Sequence, residues 1–161
     1  MIKHLHEIEL HIHDPWVGKV DVNRIKEAIV TTLQLQSQQI DHLEACSLSF
    51  VVVGDEEMTR MHESYRAEAG TTDVLTFPYD EDDVREEMQG YLGDIIVCYP
   101  QAARQGRAEG HQPQDELDLL AVHGTLHLLG YDDETPQEKV RMWKEQQLVM
   151  QRLGLAEVAP H

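Results

Sequence analysis

The sequence predicts an α+β fold: a single domain spanning residues 1–161, in which a four-stranded mixed sheet is covered by about five helices. Three observations carry this. Short runs rich in Val, Ile and Leu recur with the alternation of strands. Between and after them lie segments with helical apolar spacing, opened by capping residues and closed by Gly or Pro. The order of these segments, βαβαββααα, places the last three helices together in the second half.

Taken in order, residues 5–13 form a first strand, with Ile8, Leu10 and Ile12 alternating against Glu7, Glu9, His11 and His13, and Asp14-Pro15 stops it. Residues 21–35 form a helix with Val22, Ile25, Ile29 and Leu33 on one face. Residues 46–53 are the second strand, ended by Gly54, and Asp55 caps a helix to Arg66 that turns Met58 and Met61 inward. Thr72 to Phe77 is a strand closed by Pro78, and Tyr91 to Tyr99 another closed by Pro100. A short helix over 101–110 sets Arg104, Arg107 and His111 on one stripe, and an apolar helix follows over 114–129. Thr135, Pro136 and Glu138 supply the N-cap, first-turn proline and capping-box acid of a last helix to Leu153, with Val140, Trp143 and Met150 toward the core.

A chain of 161 residues with 41% hydrophobic and 27% charged residues suits one soluble globular core. No secretory leader is expected, because charged residues interrupt the first thirty positions. No apolar run approaches the ~20 residues that span a bilayer, and a cytoplasmic location is expected. Cys46 and Cys98 form no C-x-x-C pair and read as buried, reduced thiols. The net charge of −17 argues against non-specific travel along nucleic acid, so a polyanionic substrate must meet a local cationic site.

Residues 123–133, His-Gly-Thr-Leu-His-Leu-Leu-Gly-Tyr-Asp-Asp, carry the strongest chemical signal. His123 and His127 are four apart, so one helix face projects both imidazoles toward a single ion. Gly130 can end the helix with positive φ and fold the chain back to deliver a third donor, where Asp133 stands. Asp132 and Glu134 flank it, and Asp132 is a candidate orienting group or proton acceptor. The spacing is that of extended zinc-protease motifs, but the general-base glutamate they place after the first histidine is here Gly124. Two unpaired imidazoles in so apolar a helix would be costly to bury, which favours a metal over a purely structural pair. Arg66, at a helix end before a strand, can offer a rigid fork to a phosphate. The acidic run 80–87 lacks the spacing of a calcium loop, and Arg104, Arg107 and His111 read first as a solvated basic face. His11 and His13 suit adventitious metal binding only.

Residues 123–132 match at every specified position the motif H-G-x-L-H-L-x-G-Y-D-H of the YbeY endoribonucleases, which act in rRNA maturation and ribosome quality control, and the chain resembles that family. Ser64-Tyr65-Arg66 with Thr72-Asp73-Val74-Leu75-Thr76-Phe77-Pro78, and Leu92-Gly93-Asp94-Ile95, resemble two further blocks of it, so the likeness runs from about residue 48 to 133. The resemblance implies that His123 and His127 are ligands of one zinc ion (Zn2+) and that Arg66 acts in the cleft, with catalysis resting on Arg66 and His123. It marks Asp73 and Asp94 as family positions. It implies cleavage of single-stranded RNA during 3′-end processing of small-subunit rRNA, with small-subunit ribosomal proteins and the Era GTPase as partners.

The departure is Asp133, where the family has histidine. A carboxylate lowers the charge of the metal site by one unit, weakens its Lewis acidity and favours harder metals. Two other readings compete. A peptidase fits the spacing but lacks its base at Gly124. A non-enzymatic ribosome-assembly factor with a structural or weakly bound metal fits the altered ligand and the negative charge.

Overall fold

The computed structural model describes residues 6–41, 43, 45–66, 74–79 and 90–158, with the side chains of Tyr65 and Arg66 outside the described set. Its elements are β1 (Glu7–Ile12), α1 (Val22–Gln36), β2 (Ser47–Val53), α2 (Asp55–Arg66), β3 (Val74–Pro78), β4 (Tyr91–Cys98), α3 (Tyr99–Glu109), α4 (Pro113–Leu128) and α5 (Pro136–Arg152), with one 3-10 turn at Val17–Lys19. The predicted α+β class and element order are therefore those observed. The strands form one mixed sheet in the order β1-β2-β4-β3. β1 and β4 run parallel to β2, whereas β3 runs antiparallel to β4.

Strand alternation divides the core in two. Leu48, Phe50 and Val52 of β2 and Ile95 and Val97 of β4 pack against Ile25, Ile29 and Leu33 of α1 and the apolar residues of α4. The intervening Val53, Ile96 and Cys98 join Leu75 of β3 and Met58 of α2 on the opposite face. Both central strands are thus covered on two sides, which accounts for their near-continuous apolar runs. No helix among the described residues is long and apolar enough to cross a membrane.

Several details depart from the sequence expectation. Pro100 does not simply stop β4: Tyr99 already belongs to α3, and the proline sits in its first turn, where no backbone donor is needed. Asp55 is not a cap. It lies inside α2, accepts from the Cys98 thiol at 3.3 Å and takes Arg104 in a two-point ion pair at 2.8 and 3.1 Å. Arg104 is therefore engaged within the fold, and His111 lies beyond the αL cap Gly110, off the predicted stripe. Val22 is 36% exposed at the start of α1, outside its buried stripe. Val140 is 66% exposed, because the buried stripe of α5 is Met142, Gln146, Val149 and Met150. At about 100° per residue, Val140 stands roughly opposite Met142. Trp143 is half-buried beneath the Lys139 ammonium, 4.8 Å from its ring. The acidic run 80–87 lies outside the described residues.

Candidate metal centre

α4 is buried nearly all round, as suits a helix held between a sheet and other helices. From Ala121 to Leu128 every residue is buried except His123 and His127, which are half-buried. The helix starts at Pro113, one residue before the predicted start, and Asp115 accepts the Gln112 amide at 3.2 Å, a capping contact the sequence reading did not name. At the other end Tyr131 N–H donates to the Leu126 carbonyl and Gly130 N–H to that of His127. Gly130 holds φ at +103°, so the helix closes in a Schellman turn and the chain reverses over the histidines.

That reversal delivers Asp133. Its Oδ2 lies 3.9 Å from His123 Nε2 and 3.8 Å from His127 Nε2, and the two Nε2 atoms are 3.0 Å apart. These three residues form a group that could hold a metal ion. Donors on an ion about 2.0–2.1 Å from each nitrogen would be separated by about 3.4 Å, within the spread seen. Asp132 takes a local role, accepting the Asp133 amide at 2.8 Å.

Hydrogen bonding on the far side of each ring sets the chemistry of the near side. His127 Nδ1 is 2.9 Å from the Tyr131 carbonyl oxygen, and His123 Nδ1 is 2.9 Å from Gln146 Oε1. The Tyr131 carbonyl can only accept, so His127 Nδ1 carries the proton, and the Gln146 amide oxygen facing His123 Nδ1 favours the same form there. In neutral rings, Nε2 then presents a lone pair. The two Nε2 atoms face each other at 3.0 Å, a spacing that a hydrogen bond or a shared ion bridges, and the Asp133 carboxylate adds a third donor beyond what a shared proton needs. The donor set fits a divalent ion, and the site borders solvent, since the Asp133 side chain is 41% exposed.

Gly124 faces away from this group. A Cβ there would lie 2.7 Å from Ile95 Cγ2 on β4. The position where a zinc protease carries its base thus points into the sheet, and a glutamate at 124 could not reach the metal group. Arg66 is the last residue of α2, with its side chain outside the described residues, and Asp73 is not described. Asp94 lies on β4 and accepts from the Tyr91 hydroxyl, which is 3.0 Å from Ser49 Oγ. Burial pushes that phenol up to about 12, so it stays a donor.

The family model described as Endoribonuclease YbeY matches residues 12–154. The chain belongs to the YbeY family. An endoribonuclease YbeY of Frankia casuarinae is 38% identical over 136 residues, covering 80% of this chain and 67% of the relative. One from Bacillus licheniformis is 34% identical over 145 residues, covering 86% and 91%. One from Streptomyces coelicolor reaches 48% over 104 residues, at 60% and 62% coverage. The solution structure of TM1509 from Thermotoga maritima superposes with a TM-score of 0.56 at 23% identity, covering 96% of this chain and 97% of that one, a likeness of fold. For a YbeY chain, Gly124 now has a physical role: it lets α4 approach β4 closely enough to set the histidine face beside the turn.

Tyr131 stood in the sequence reading only as a motif position, and Gln146 and Gln36 were overlooked. A signal existed. Gln146 lies four residues from both Met142 and Met150, and Gln36 continues the Ile29–Leu33 stripe, so both are polar residues at core positions.

Proposed function

We propose that this chain is a metal-dependent, single-strand-specific endoribonuclease that acts on small-subunit rRNA near its 3′ end, with one zinc ion on His123, His127 and Asp133. The observation that carries it is the convergence of two histidine Nε2 atoms and a carboxylate oxygen, all within 3.9 Å of one another. Membership of an endoribonuclease family supports RNA as the substrate.

A divalent ion held there would supply Lewis acidity toward a phosphodiester or a water. The chain's own residues do the rest. His123 and His127 hold both Nε2 atoms on one face of a packed helix, so little reorganisation accompanies reaction. Asp133 lowers the charge of the site by one unit relative to a histidine, which favours harder ions as alternatives to zinc. Arg66 offers the guanidinium that would stabilise charge developing on the phosphate, a contact to a polyanion that the net charge of −17 otherwise discourages. The partners inherited with this reading are small-subunit ribosomal proteins and the Era GTPase, and its location is the cytoplasm.

Purified protein should cleave single-stranded RNA, lose that activity with a chelator and recover it with added zinc. The Arg66→Ala variant should stay folded and inactive. Cleavage that survives the chelator, or no cleavage with any of several divalent metals, rejects the proposal.

A further inference from the structure

Gln146 is 1% exposed and lies among Met142, Val149 and Met150 on the inward face of α5. Its Oε1 accepts from His123 Nδ1 at 2.9 Å. An amide at such a position carries a desolvation cost that leucine would not, so packing alone does not explain it. The neighbouring Glu145 anchors a hydrogen-bonded chain that ends on the Tyr131 side chain. Its carboxylate accepts from Gln36 Nε2 at 3.0 Å, and Gln36 Oε1 accepts from the Tyr131 hydroxyl at 2.8 Å. The carbonyl of that same Tyr131 accepts from His127 Nδ1. Of these two α5 residues, Gln146 meets an imidazole directly, while Glu145 braces the side chain of the residue whose carbonyl meets the other.

We infer that Gln146 is a positioning residue for the metal centre, fixing the Nδ1–H form and the ring orientation of His123 so that its Nε2 lone pair faces the ion. This rests on the metal reading of the site proposed above. An imidazole in the other tautomer turns an N–H toward the ion and must lose a proton or change form before it can bind. Outer partners of this kind typically govern metal affinity by roughly 10–100-fold.

The test uses the full chain with zinc as the probe. Zinc affinity is measured by chelator competition for wild type, Gln146→Leu and Gln146→Glu, and histidine tautomers are read by nitrogen-15 NMR of the metal-free proteins. Leucine should weaken zinc binding roughly 10–100-fold and populate the Nε2–H form of His123. Glutamate, which can only accept when ionised, should retain the Nδ1–H form and bind zinc at least as tightly as wild type. A purely structural role would lower metal-free stability in both variants alike without separating their zinc affinities. Equal zinc affinity in wild type and Gln146→Leu, or equal loss in both variants, overturns the inference while leaving the metal site standing. A wild type that takes up no zinc overturns the metal reading and this inference with it.

Discussion

Gly124 decides more than its size suggests. In the middle of a helix, glycine costs about 1 kcal/mol relative to alanine. Here the missing Cβ is what admits Ile95, whose Cγ2 would stand 2.7 Å from it. That methyl belongs to a β-branched side chain on a central strand and has little freedom to withdraw. Overpacking of this kind costs roughly 1–3 kcal/mol, which exceeds the helix-propensity gain. Gly124→Ala should therefore lower unfolding stability by roughly 1 kcal/mol in urea titrations, and a variant more stable than wild type would show that α4 and β4 can separate freely. Nothing in the one-dimensional pattern shows which way residue 124 points. Its role as a family match was legible, and its role in packing was not.

The helices around α4 hold it in register. Arg24 of α1 reaches Asp115 at 2.9 Å and also pairs with Asp118, whose side chain is 2% exposed. Burial pushes the Asp118 carboxyl up to about 6, against the pull of Gln114 and Arg24. The folded state therefore holds this proton to higher pH than the unfolded chain, whose carboxyl titrates near 3.8. Stability from Asp118 is full below that value and falls as pH rises through the window to about 6. Arg24→Ala removes the compensating charge, so it should cost roughly 1–3 kcal/mol at neutral pH. Without Arg24 the Asp118 carboxyl holds its proton to still higher pH, so the deficit should shrink as pH falls toward about 6 and the buried carboxyl is neutralised. Denaturant titrations at several pH values check this, and a pH-independent deficit would show that Asp118 is not the group left uncompensated. Helix periodicity revealed α1, α4 and α5, but the Val140 and Val22 assignments failed because apolar residues occur on exposed faces too.

The metal group joins parts of the chain that the sheet does not connect directly. His123 and His127 come from α4, Asp133 from the turn after it, and their supports from α5 and α1. An ion bound there would link only folded donors, so it should stabilise the whole chain. At zinc concentrations near 100 times the dissociation constant the gain should be about 2.7 kcal/mol. For a chain of this size that is a rise in melting temperature of roughly 5–10 °C. Asp133→Ala should require much more zinc for the same rise. A melting temperature indifferent to zinc in the wild type would reject the site.

The element order, the two histidines, the Gly130 turn and the position of Asp133 were all legible in the amino-acid order. They rest on local physics: backbone propensity, capping and the 3.6-residue repeat act over a few neighbours. The state of the imidazoles was not legible. It depends on acceptors from Gln146, 23 residues beyond His123, and from a Tyr131 carbonyl aimed by the Gly130 turn. Which ring nitrogen carries the proton is set by whatever oxygen folding brings behind the ring, and only packing of α5 and α1 against α4 brings it there.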